Sequence, residues 1–122
     1  METISELRSA YKGYKDRLEK LFVLMELEKK SVRLKSIDDE LSQPEIWNDR
    51  EKAQALNKEA TMLRRLIEGW KKTMSKVEDG VAMCELIETE NDSSMLPEAI
   101  AEAVTVSKLV DDMEFKRMLG GE

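Results

Sequence analysis

Cys84 and a few groups of carboxylates are the side chains of this sequence whose types and spacing suggest chemistry. Glu85 and Glu88 are close together in sequence, as are the acidic residues of the run 111–114, and carboxylate oxygens are ligands of divalent cations. On a solvated helix face such groups are usually surface charge. We therefore expect no metal site.

The sequence lacks the residues and motifs that most often carry out catalysis. The sequence contains no histidine, which excludes histidine-based triads and the commonest zinc ligand. Cys84 falls on an apolar helical seam, so we expect a buried and inert thiol rather than a nucleophile. Gly120 and Gly121 are not followed by a helix and do not form a phosphate-binding loop. The sequence predicts no catalytic residue and no cofactor.

The composition is that of a helical protein with protein partners. Charged residues make up 38% and aromatic residues 5%, with five glycines and two prolines, whereas an apolar fraction of 41% is too high for disorder. The net charge of −6 leaves no dense positive face, so we expect no direct binding to nucleic acid. A single cysteine and no long apolar run predict a cytoplasmic protein without a membrane span.

Apolar periodicity predicts three helices, at about 3–41, 50–90 and 95–119. In the first, the apolar stripe changes phase after Met25, which indicates one long helix or two in line with a bend near 26–31. The second has a coiled-coil seam. Gly69 and Gly80 lie inside it and indicate either a close helix crossing or a hinge. The seam comprises Ala53, Leu56, Ala60, Leu63, Ile67, Trp70, Met74, Val77, Val81 and Cys84.

Short connections predict an all-α fold, an elongated antiparallel three-helix bundle that forms one domain over 1–122. Because the third helix is shorter than the others, part of the first two is expected to protrude as a two-helix hairpin. Its apolar stripe would be partly uncovered, which makes it a candidate for self-association or partner contact. The stripe consists of Leu34, Ile37, Leu41, Leu56 and Leu63.

The turn LSQPEIWND places an indole in a polar connection. Pro44 fixes the chain direction, and either Asn48 or Asp49 is expected to cap the second helix. Trp47, with Ile46, is expected to fold back and close the end of the hairpin core. The alternative is that Trp47 is an exposed anchor for a partner.

Two segments carry a resemblance to a known family. LSQPEIWNDREKAQALNKEATMLRRLIEGW (41–70) and MEFKRMLGGE (113–122) resemble the N-terminal helical domain of bacterial class I peptide chain release factors, in the branch that reads UGA and UAA. The resemblance extends from about Glu28 to Glu122. Gly120 replaces the serine of the family's Ser-Gly-Glu ending.

The resemblance implies that an intact factor triggers hydrolysis of peptidyl-tRNA on the ribosome. The family's Ser-Pro-Phe and Gly-Gly-Gln motifs are absent from residues 1–122, so this chain is expected to be an excised domain or truncated product without enzymatic activity. In the family, this domain faces the proteins of the ribosomal stalk base and the class II release-factor GTPase. A stand-alone acidic coiled-coil adaptor is the alternative.

Overall fold

The computed structural model describes residues 3–120, and within them the protein is all-α, with no strands. The fold class predicted from the sequence, an all-α helical bundle, is confirmed. The α helices are α1 (Ile4–Leu24), α2 (Leu27–Leu41), α3 (Arg50–Glu90) and α4 (Leu96–Met118), with 3-10 helices at Pro44–Asn48 and Ser93–Met95.

The chain divides into two compact units where the sequence predicted one domain. The described residues of Met1–Leu21 and Lys71–Glu122 form one unit, called here the α4 unit. Phe22–Trp70 forms the other, called the hairpin unit. Helix α3 contributes residues to both.

The α4 unit is a three-helix bundle. Arg8 of α1 contacts Glu88 near the end of α3 at 2.8 Å, and Tyr11, further along α1, lies against Gly80, which is earlier in α3. Helices α1 and α3 are therefore antiparallel. The short connection at 91–95 makes α4 antiparallel to α3 as well. Burying each large aliphatic side chain of the core contributes roughly 1.5–3 kcal/mol. The buried core includes Leu7, Tyr11, Leu18, Leu21, Val77, Cys84, Ile87, Ala99, Ala103, Val106 and Val110.

The hairpin unit pairs α2 with the first part of α3. Arg33 of α2 binds Glu59 of α3 at 2.8 Å, and Arg64 of α3 binds Asp38 of α2 at 2.9 Å. Between these polar edges the two apolar faces meet in one cluster. Its buried members are Ile37, Ile46, Ala53, Leu56, Ala60 and Leu63, with Leu34 and Leu41 packed against them.

The predicted range 3–41 is divided into α1 and α2 at Met25 and Glu26. Glu26 has a left-handed backbone with φ 53°, and the Lys30 ammonium donates a hydrogen bond to the Met25 carbonyl oxygen. Residues two apart do not share a face of a straight helix. The break therefore allows both Met25 and Leu27 to be buried, at 3% and 1% exposure.

Candidate functional site

The connection between α2 and α3 is a short 3-10 helix that fixes where its side chains point. Gln43 is extended, with φ −81° and ψ 129°, as expected for the residue before a proline, and Pro44 occupies the first turn. Three residues per turn place neighbouring side chains about 120° apart. Consequently Ile46 and Trp47 cannot both face the hairpin core.

Of the two side chains predicted to close the hairpin core, Ile46 does so and the prediction for Trp47 is wrong. Ile46 is 9% exposed and belongs to the buried cluster, whereas Trp47 is 59% exposed. The Trp47 indole Nε1–H donates a hydrogen bond of 3.1 Å to the carbonyl oxygen of Leu41. The last carbonyls of a helix lack partners within it, so this bond satisfies the end of α2 and holds the ring on the outside of the turn.

Of the two predicted capping residues, Asn48 and Asp49, it is Asp49 that caps helix α3. Its Oδ1 accepts a hydrogen bond of 3.2 Å from the backbone N–H of Lys52, and its carbonyl oxygen accepts one of 3.0 Å from Ala53. This is the geometry of an N-cap residue. Asn48 is the exposed last residue of the 3-10 helix.

The predicted open stripe on the hairpin is closed in the structure. Ile37, Leu56 and Leu63 are buried, and Leu34 and Leu41 are half-buried against them. The prediction was wrong because α2 and α3 cover each other's apolar faces without a third helix, with Ile46 completing the cluster. These five side chains are therefore not available as an apolar partner surface.

Exposed apolar side chains lie elsewhere, at positions that the seam pattern did not select. Apart from Trp47, which lies in the turn and was the exposed anchor of the alternative interpretation, they lie off the 3,4 alternation, so periodicity gave no signal for them. In the hairpin unit they are Val23, Leu24, Val32, Trp47 and Met62. In the α4 unit they are Leu86, Val104, Phe115, Met118 and Leu119.

The connection also carries an excess of negative charge. Between positions 38 and 52 the sequence has six acidic and two basic residues. A shallow hollow of about 330 Å³ opens on this turn. Its lining consists of Glu40, Gln43, Glu45, Ile46, Asp49 and Lys52.

The polar groups of the α4 unit are structural. The Tyr11 hydroxyl donates a hydrogen bond of 2.7 Å to the carbonyl oxygen of Ala99, and burial raises the pKa of Tyr11 well above its usual range. The Arg17 guanidinium binds Glu114 through two nitrogens, at 3.1 and 2.5 Å, and Asp111 at 2.7 Å. These contacts tie α1 to α4.

Cys84 is fully buried, and burial raises the pKa of its thiol, which disfavours the reactive thiolate. Within residues 3–120, no three Cys, Asp or Glu side chains are grouped so that they could hold a metal ion. No helix in the same part of the chain has the length and apolar character needed to cross a membrane.

The sequence that forms α2, the turn, α3 and α4 matches a known family of protein domains. The PCRF domain family matches residues 29–122, and the chain belongs to that family. Proteins similar to it over its whole length are named peptide chain release factor 2. The relative from Acidithiobacillus ferrooxidans is 35% identical over 121 residues, which cover 99% of this chain and 33% of that protein.

Other relatives carry the same name. The chain is 34% identical to the Aeromonas hydrophila protein and 32% identical to the Proteus mirabilis protein, in each case over 100% of its own length. It covers 33% and 31% of those proteins, respectively. The chain thus spans about a third of the length of the curated relatives it matches.

Proposed function

We propose that this chain is the protein-contact domain of a cytoplasmic factor that terminates translation at UGA and UAA. The observation that carries the proposal is the match to the PCRF family over 29–122, together with relatives named peptide chain release factor 2 over the whole chain. This match also favours a release-factor role over a stand-alone adaptor. The chain itself catalyses no reaction in this proposal, since hydrolysis would depend on other parts of the factor.

The proposed partners are the ribosome, its stalk-base proteins and the class II release-factor GTPase. Charge supports proteins rather than nucleic acid as the direct contact, because a net charge of −6 opposes association with a phosphate backbone. The exposed Trp47 is the kind of aromatic side chain that dominates protein interfaces.

A domain exchange tests the proposed role. Residues 1–122 would replace the matching third of the Acidithiobacillus ferrooxidans relative, and peptide release would be measured on ribosomes with UGA, UAA or UAG in the A site. We expect the chimera to release peptide at UGA and UAA and not at UAG. We expect residues 1–122 alone to release none.

The unaltered relative is the control for the exchange. A chimera that is folded by circular dichroism but inactive at every codon would contradict the proposal. So would codon-dependent release by residues 1–122 alone.

A further inference from the structure

Trp47 has the properties of a preformed binding anchor. Its ring is 59% exposed, yet the hydrogen bond from Nε1 to Leu41 holds its position. A side chain that is already fixed loses little conformational entropy when a partner covers it. Trp is also among the residues that contribute most to protein interfaces.

The charges of the same turn determine which partner suits the anchor. Within residues 3–120, no salt bridge neutralises Asp39, Glu45 or Glu51, whereas Asp38 is paired with Arg64. Glu45 also lines the hollow of about 330 Å³ on this turn. The same short turn therefore carries both unneutralised negative charge and an exposed aromatic ring.

We infer that Trp47 and the carboxylates of this turn bind a basic, arginine-bearing segment of a partner protein. A guanidinium group can stack on an indole face and can bind a carboxylate through two parallel hydrogen bonds, so arginine is the residue type that suits both features. Nucleic acid is repelled by the same carboxylates. A second copy of this chain would bring an equally negative turn against them.

In this proposal the turn is the surface through which the domain contacts its partner protein, and that assignment rests on the proposed function. The binding site itself can be tested without a ribosome. The probe is a synthetic peptide of alternating arginine and alanine, with a peptide of alternating glutamate and alanine for comparison. Binding to residues 1–122 is followed by NMR of the two tryptophan indole N–H groups.

We expect saturable binding of the arginine peptide, no binding of the glutamate peptide, and a shift of the Trp47 indole signal that exceeds that of Trp70. Trp47→Ala should weaken binding by about tenfold, the loss typical of a strong interface residue. Phe115→Ala removes an equally exposed aromatic side chain from the α4 unit and should leave binding unchanged.

A second pair of variants separates the site from general electrostatic attraction. Glu45→Gln and Glu98→Gln each remove one negative charge from an exposed position. Only Glu45→Gln should weaken binding. Circular dichroism checks that each variant keeps its helix content.

Three results would overturn the inference. The first is equal affinity of Trp47→Ala and Phe115→Ala for the arginine peptide. The second is a shift of the Trp47 indole signal when single-stranded RNA is added. The third is a dimer, observed by sedimentation, that is lost in Trp47→Ala. If the peptide fails to bind while the chimera releases peptide, the inference alone is wrong. If the peptide binds through Trp47 while the chimera is inactive, the proposed function alone is wrong.

Discussion

Gly80 of α3 lies directly against the ring of Tyr11 of α1. A β-carbon at position 80 would lie 2.2 Å from both Cε1 and Cζ of that ring, far inside van der Waals contact. The ring cannot move aside cheaply, because Tyr11 is fully buried and its hydroxyl is bonded to Ala99. This close approach explains a glycine in the interior of a long helix, where glycine is otherwise unfavourable.

Gly80→Ala should therefore destabilise the protein by about 1–3 kcal/mol, the usual cost of overpacking a core. Gly69→Ala is the matched control on the same helix, since nothing lies within 4 Å of a β-carbon there. It should be stabilising by up to about 1 kcal/mol through helix propensity. Urea unfolding followed by circular dichroism measures both, and equal stability of the two variants would contradict the assigned contact.

Tyr11→Phe tests the buried hydrogen bond to Ala99. Near neutral pH it should cost about 1–2 kcal/mol, because the Ala99 carbonyl oxygen loses a buried donor. Burial raises the pKa of Tyr11 in the folded state, so its contribution is complete below the unfolded pKa of about 10 and is lost as pH rises above that value.

The stability difference between Tyr11→Phe and the unaltered chain should thus shrink above about pH 10. Urea midpoints of both proteins at neutral and alkaline pH measure this difference. A difference that stays constant or grows would show that Tyr11 is not protected from ionisation by the fold.

Ile46→Ala and Trp47→Ala should differ widely although the residues are adjacent. Ile46 fills the end of the hairpin core, and removing it should cost about 2–4 kcal/mol. Trp47 is mostly exposed, so its removal should cost about 1 kcal/mol or less, chiefly for the lost bond to Leu41. Thermal unfolding of the two variants measures both losses of stability. A larger loss for Trp47→Ala than for Ile46→Ala would show that Trp47, and not Ile46, fills the core.

Glu26→Gly should stabilise the protein by about 1 kcal/mol or less. Glu26 has φ 53°, a conformation that costs a residue with a side chain roughly 1–2 kcal/mol and glycine almost nothing. Asn91→Gly is the comparison, since Asn91 has φ 49° but asparagine tolerates this conformation better. Unfolding free energies should show the larger gain at position 26, and a loss there would mean that the Glu26 side chain stabilises the break.

Helical periodicity identified most of the α3 core because that core depends on a regular repeat. Ala53, Leu63, Val77 and Cys84 were expected on the seam and are buried. Thr73 is also buried, at 2% exposure, but an apolar pattern does not include a threonine.

The features that the sequence did not predict depend on single contacts rather than on repeats. Trp47 faces outward because its Nε1 finds the Leu41 carbonyl oxygen, a pairing that no spacing rule selects. Glu26 adopts a left-handed backbone without glycine or asparagine to signal it. The apolar stripe of the hairpin is buried because α2 and α3 already cover each other's apolar faces, which the number of helices does not reveal.

Equilibrium binding of residues 1–122 to the large ribosomal subunit, with and without its stalk-base proteins, tests the role of a protein-contact domain most directly. We expect binding that depends on those proteins and weakens in Trp47→Ala. Equal binding to subunits stripped of the stalk-base proteins would contradict it.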